Sequence, residues 1–321
     1  MRTLRKSRNP LTYRSFFSTL VLILSFFGSL YAQQAADSSK GADLYDKARK
    51  VLYPADGGEG RYEAYALLLR QSAAAGYSRA LYDMARHFSD GGPCGDYTTR
   101  VDCAFKEDKD SARLLYRVLA AAGYVPAQEQ VISYSSYYDD PALDEAANDS
   151  VRFLWCVACA DKGSPLCLSR LAVLYESGIG TAVSQEKSLE AIKRTGGLDF
   201  DQYENMDDTK GVIMYSRLEL AYRYQVADSI DKTLFRSETR EIRPIPIDYF
   251  ESYVWCLLCN ENKRHYIDGF DLQDLLFKLT RQAASHLSAA EQQAAVARAG
   301  AIIKRPLKNM GKLYQKESWR D

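Results

Sequence analysis

The stretch Asn148–Gly180, NDSVRFLWCVACADKGSPLCLSRLAVLYESGIG, restricts the fold more than any other. It reads as two short helices joined by a tight corner. Asp149 or Ser150 is placed to cap the first helix. Val151, Leu154, Trp155, Ala158 and Cys159 recur at three- and four-residue steps, which gives that helix one apolar face. Lys162-Gly163-Ser164-Pro165 ends it and starts the next, since Gly suits the position past a helix end and Pro suits a first helical turn. Leu168, Leu171, Ala172, Leu174 and Tyr175 mark a second apolar face, closed by Gly178 and Gly180. A hairpin of this size cannot bury both faces against itself, so it needs neighbours of the same kind.

The chain supplies them. A glycine stands at a comparable corner at Gly76, Gly123 and Gly163, and again at Gly196 or Gly197. The spacings of 47, 40 and about 33 residues fit a helix-pair repeat whose loops absorb insertions. The first two copies share the string Ala-Ala-Ala-Gly-Tyr, at 73–77 and 120–124. The last pair copies the third: Val254-Trp255-Cys256-Leu257-Leu258-Cys259 follows Leu154-Trp155-Cys156-Val157-Ala158-Cys159. Residues 42–52 read as a half-repeat cap, 211–226 as the second helix of the fourth pair, and 271–284 and 287–305 as closing helices. Ser288 and Glu291 form a capping-box pattern. Insertions fall at 89–108, at 198–208 and at 230–247, the last an extended stretch around Arg243-Pro244-Ile245-Pro246.

Trp155, Cys159, Gly163, Cys167, Leu171, Tyr175, Gly178 and Gly180, with a new helix after Gln185 and Glu186, stand at the spacings of a known unit. They resemble the Sel1-like repeat, a relative of the tetratricopeptide repeat, over residues 41–305. The resemblance implies an all-α fold: a right-handed α-solenoid of about five stacked antiparallel helix pairs, with a concave groove. Cysteine-rich secreted members of the family tie the two helices of a repeat with one disulfide, which implies a Cys159–Cys167 bridge. In the last repeat Ile267 stands where Cys167 does, so Cys259 lacks that partner.

The amino terminus carries a different signal. Arg2, Arg5, Lys6, Arg8 and Arg14 precede an apolar run from Phe16 to Phe27, and small residues follow to Ala32. This is the pattern of a secretory signal peptide over 1–32, so export to the periplasm or the exterior is expected. Residues 33–40 are polar and expected to be a disordered lead-in. Residues 306–321 form a basic tail expected to be loose. The chain balances 42 basic against 42 acidic residues, and loss of the leader leaves 37 against 42, about −5. That lacks the basic field nucleic-acid binding needs, and contact with the membrane is expected through the cleaved leader alone. All seven cysteines lie beyond the leader, in a compartment where disulfides persist. Seven is odd, so at least one is free or pairs between chains.

Few residues suggest chemistry. The Cys-x-x-Cys pairs 156/159 and 256/259 offer four thiolates to a zinc ion. Each pair, however, lies mid-helix behind a Trp, where a redox motif would sit at a helix start. Cys94 and Cys103 flank an insertion and are expected to pair, which leaves Cys156, Cys256 and Cys259 as buried thiols or as a bridge between repeats. Ser184-Gln185-Glu186-Lys187 fits the Ser-x-x-Lys nucleophile motif of penicillin-recognising enzymes, without the Ser-Asp-Asn or Lys-Thr-Gly that accompany it. Ser184 has a simpler role as a helix cap. The three histidines, 87, 265 and 286, are scattered. Tyr134, Tyr137, Tyr222 and Tyr224 are candidate groove aromatics. The sequence thus favours a scaffold that binds a protein or peptide without cofactor or catalysis, over a peptidoglycan- or β-lactam-directed enzyme or a structural zinc protein.

Overall fold

The computed structural model describes residues 38–53, 61–93, 103–133, 137–203, 207–225, 245–263 and 270–316. The expected leader, 1–32, lies outside them, as do Cys94, Tyr134, His265 and most of the 230–247 insertion. The chain divides into two compact units, Met1–Tyr138 and Asp139–Asp321. Among the described residues the regular structure is entirely helical. No helix among them is long and apolar enough to cross a membrane.

The first unit holds α1 (Ser38–Leu52), α2 (Tyr62–Ala74), α3 (Ser78–Asp90), α4 (Lys109–Ala121) and α5 (Val125–Ser133). The second holds α6 (Glu145–Asp161), α7 (Pro165–Ser177), α8 (Gln185–Gly196), α9 (Asp207–Arg223), α10 (Tyr249–Glu261), α11 (Phe270–Ser285) and α12 (Ala289–Ile302), with short 3₁₀ turns at Phe200–Gln202 and Met310–Lys312. Helix pairs of the kind expected over 41–305 occur in both units. Within a pair the two helices pack against each other, and the second helix also packs on the first helix of the next pair, as α3 does on α4 and α7 on α8. Burial of an apolar face therefore depends on the neighbouring pair, as the isolated hairpin required.

The corners repeat in atomic detail. Gly76, Gly123 and Gly163 have φ of 79, 80 and 82°, a conformation that a side chain disfavours. In each, the amide of the residue after the glycine donates to a carbonyl five residues back: Tyr77 to Ser72, Tyr124 to Leu119 and Ser164 to Cys159. This is the Schellman closure of a helix end. The fourth corner differs from expectation. Gly197 has φ −79°, and Gly196 does not have positive φ either. Gly196 is instead a point of close approach, because a Cβ there would lie 3.0 Å from the Trp255 ring and 3.3 Å from Leu220. Packing selects that glycine.

Several helix starts also moved. α1 begins at Ser38, so Ser38–Lys40 are helical rather than part of a disordered lead-in. α6 begins at Glu145 with Asp144 as its cap, the Asp144 carboxylate accepting from the Ala147 amide at 2.8 Å. Asp149 and Ser150, the caps expected from the sequence, lie inside the helix. Asp149 pairs with Arg152, and the Ser150 hydroxyl donates to the Ala146 carbonyl at 2.9 Å. Upstream, the Asn148 side chain ties the start of α6 to Asp140, accepting from its amide and donating to its carbonyl.

Polar groups buried in the second unit join its helices. Arg217 on α9 donates to the carbonyls of Gly196, Leu198 and Leu258 and to the Asn262 side chain, at 2.8–3.1 Å. It thereby serves the carbonyl-rich ends of α8 and α10 at once. Arg223 pairs with Glu176 on α7 at 2.7 Å and with Glu219, and the Ser188 hydroxyl also donates to Glu176, at 2.9 Å. Buried charges are tolerated when paired in this way.

The carboxyl-terminal segment, expected to be loose, is docked through residue 316. Glu261 ends α10, where the helix dipole disfavours a negative charge. Its carboxylate is answered by Arg305 at 2.8 Å and by the amides of Lys308 at 2.7 Å and Asn309 at 2.9 Å. Arg305 also reaches Asp199 and Asp201, Asn260 and Asn309 exchange hydrogen bonds, and the Lys263 ammonium donates to the Lys312 carbonyl. A basic composition suggested a solvated tail, but here the basic groups meet acids held on the last repeats.

Candidate functional site

The cysteines are structural. Cys159, in the last turn of α6, and Cys167, in the first turn of α7, are disulfide-bonded with Cα atoms 5.7 Å apart. Cys103 is disulfide-bonded, and Cys94 lies outside the described residues. Cys156, Cys256 and Cys259 are free and buried. Burial pushes the Cys156 and Cys256 thiols up to about 12 and the Cys259 thiol well above its ordinary value. The Cys156 thiol donates to the Cys167 carbonyl at 3.1 Å. A zinc site using both Cys-x-x-Cys pairs does not form here, because Cys159 is committed to Cys167 and the others are held as thiols in an apolar core.

Ser184 is the N-cap of α8. Its hydroxyl accepts from the Lys187 amide at 3.3 Å, and the Lys187 ammonium lies over the Tyr175 ring, 5.4 Å from its centroid. The Ser-x-x-Lys string is thus used as a cap and a cation–π pair.

Of the expected groove aromatics, Tyr137 belongs to the first unit and Tyr222 and Tyr224 to the second, while Tyr134 lies outside the described residues. Tyr137 is half-buried, edge-on to Tyr138 at 4.8 Å, and its hydroxyl donates to the Lys109 carbonyl at 3.3 Å. Tyr222 is half-buried against the core of the second unit. Tyr224 is 7% exposed within that core and cannot line a groove. A different tyrosine group assembles in the first unit. Tyr45 meets Tyr77 at 5.3 Å, Tyr82 meets Tyr124 at 5.8 Å, and Arg79 lies over the Tyr45 ring at 5.4 Å. The Tyr45 hydroxyl donates to Asp83 at 2.6 Å. Burial raises the Tyr45 phenol and pushes Tyr124 up to about 12. Tyr77 and Tyr124 are the tyrosines of the two Ala-Ala-Ala-Gly-Tyr corners, so the repeated string was the signal for this cluster. Tyr77, Tyr82 and Tyr124 remain half-buried beside the exposed Arg79, a composition common where proteins bind proteins.

A second surface feature follows the repeat frame more closely. Counting back nine residues from each corner glycine gives Leu67 from Gly76, Leu114 from Gly123 and Leu154 from Gly163. These leucines are 57, 63 and 43% exposed, on the first helix of three successive pairs. A lone exposed leucine is unremarkable. The same register left open three times is a property of the repeat, and amphipathic counting had assigned Leu154 to the buried face.

No protein-family model matches the sequence, and no curated protein matches it. Solved structures do. A protective antigen present in uropathogenic Escherichia coli strains, whose crystal structure displays an SLR fold, matches over 89% of this chain with 15% identity and a TM-score of 0.51. The chain spans only half of that protein, 50% of its length. A Sel1 repeat protein from Oxalobacter formigenes matches over 83% of this chain and 84% of its own, with 14% identity and a TM-score of 0.45. With the helix pairs, the three glycine corners of matching φ and hydrogen bonding, and the first of these likenesses in hand, the chain has the Sel1-like-repeat fold.

Proposed function

We propose that the protein is an exported, non-catalytic scaffold that binds a protein or peptide. The observation that carries this reading is the open leucine register, Leu67, Leu114 and Leu154, repeated on the first helices of three pairs. Repeat proteins of this architecture stabilise themselves through neighbouring pairs and leave one face of each pair available, which suits recognition. The half-buried tyrosines and Arg79 of the first unit add residue types that anchor interfaces. Export is supported by the leader pattern and by the Cys159–Cys167 disulfide, which belongs to an oxidising compartment. The acidic balance after leader removal argues for a protein partner over a nucleic acid.

The test uses the chain from residue 33 onward as bait in a cross-linked pull-down from envelope extract, with an unrelated helical-repeat protein as control. A specific partner is expected, recovered at stoichiometric levels. Recovery of the same proteins by both baits refutes the scaffold reading. Fractionation of cells expressing the full chain checks export: protein retained in the cytoplasm with its leader intact refutes that part alone.

A further inference from the structure

The second helices of three successive pairs carry a polar residue in one shared position. Seven residues past each corner glycine stand Asp83 on α3, Gln130 on α5 and Arg170 on α7. The first two are bonded within the fold. Asp83 accepts from the Tyr45 hydroxyl at 2.6 Å, and the Gln130 amide donates to the Tyr138 hydroxyl at 3.1 Å. Arg170 is half-buried, yet it makes no ion pair, hydrogen bond or ring contact among the described residues. Every other buried or half-buried Lys or Arg among them has at least one such partner: Arg113, Arg117 and Arg152, Lys193 and Lys210, and Arg217, Arg223, Lys263 and Arg305.

The surroundings of Arg170 add to this imbalance. The groups whose charge acts on it are Cys156 and Arg152, one helical turn apart on α6, and neither is an acid. Asp139 and Asp149 pair with Arg152 and not with Arg170. Burial holds the Arg170 guanidinium below its ordinary range, and the like charge of Arg152 pushes the same way. A guanidinium keeps its proton in a protein, so the charge itself stays in place. Cys156, seven residues before its corner, stands where Leu69 and Tyr116 stand in the earlier copies, so a smaller side chain lies near the guanidinium. A desolvated fork of N–H donors without an acceptor is unfavourable in the free protein, and an oxyanion relieves it.

We propose that Arg170, supported by the positive charge of Arg152, is an oxyanion-binding site that takes a carboxylate or phosphate group of a ligand. The planar guanidinium fork matches either group through two parallel N–H···O bonds. Arg152 supplies a second positive charge while its own donors hold Asp139 and Asp149, which fixes it on α6.

The probes are sodium acetate and inorganic phosphate, with chloride at matched ionic strength as the control, added to the chain from residue 33 onward. In nitrogen-edited NMR spectra the Arg170 Nε–Hε resonance, assigned by its loss in Arg170→Lys, is expected to shift saturably with acetate, with phosphate or with both, and not with chloride. The anion that responds identifies the source of the oxyanion, a carboxylate or a phosphoryl group. Arg170→Met is expected to melt higher than the wild type in chloride, because it removes a charge that nothing balances. It is also expected to lose the stabilisation that the responding anion gives the wild type. Arg170→Lys keeps the charge without the fork and is expected to bind about tenfold more weakly. An equal response to chloride, anion stabilisation that persists in Arg170→Met, or unchanged affinity in Arg170→Lys overturns the proposal. So does an Arg170→Met variant that melts lower than the wild type in chloride, which would make Arg170 a packing residue.

Discussion

Glu261→Ala tests whether the carboxyl-terminal segment is a built part of the second unit. The wild-type carboxylate, 2% exposed, accepts from the Arg305 guanidinium and from the amides of Lys308 and Asn309. A hydrogen bond to a charged partner contributes about 1.5–3 kcal/mol. The three do not add, because Arg305 keeps Asp199 at 3.4 Å and Asp201 at 3.0 Å, and the two amides return to water once the segment lifts. The loss is capped by the docking of the segment itself, about 2–4 kcal/mol. Glu261→Gln retains an acceptor and loses the charge, so it should fall between the variant and the wild type. Native-state hydrogen exchange is the assay. The Lys308 and Asn309 amides are expected to be protected in the wild type and to lose most of that protection in Glu261→Ala, with faster tryptic cleavage after Lys308 and Lys312. Salt at 0.5 M should change little, because a buried carboxylate is poorly screened. Protection that is unchanged in the alanine variant would refute the reasoning.

Three further outcomes are expected. Replacing Cys159 and Cys167 by serine opens a loop with a sequence separation of 8, a loss of about 2–3 kcal/mol by loop-closure entropy, read as a lower urea midpoint and a smaller shift on adding reductant than in the wild type, whose Cys103 bridge the variant keeps. Gly180 has φ 69°, and a Cβ there would lie 2.3 Å from the Asp149 carbonyl oxygen, so Gly180→Ala should cost about 2–4 kcal/mol. Gly178→Ala, which meets a Val183 methyl at 2.9 Å, should cost less, and thermal melts that rank the two the other way contradict this packing. His87 is buried against Phe105, with Nε2 2.7 Å from the Tyr65 hydroxyl, and desolvation lowers it from 6.5 to about 4. The unfolded chain therefore binds the proton first. Stability of the first unit should be complete above about pH 6.5 and decline as pH falls toward 4, by on the order of 3 kcal/mol. His87→Gln should flatten that slope, and an unchanged slope places the titration elsewhere.

The relation between sequence and structure differs from feature to feature. The corners were readable because a glycine with positive φ, a helix end and an apolar period are all local, and Gly76, Gly123 and Gly163 carry them in the string itself. The capping box at Ser288 and Glu291 was readable for the same reason. Asp144 was missed as the cap of α6 because Asp149 and Ser150 are equally good capping residues, and the choice depends on Arg152 and Asp140, which tertiary structure brings in. Tyr224 and Tyr137 were chosen on residue type, which does not distinguish a core aromatic from a surface one.

The sequence alone therefore determined the helix pair as the unit, its repetition and the all-α class, because periodicity and chain reversals are written in neighbouring residues. Tertiary structure alone decided which faces stay open. Leu154 and Val254 occupy the same register with the same local pattern, yet one faces water and the other is sealed. α10 is packed by the helices α9 and α11 on either side of it and by α12, more than thirty residues further on, whereas among the described helices α6 has only α7 packed extensively on it. Exposure depends on what packs against a face, and no local pattern carries that information.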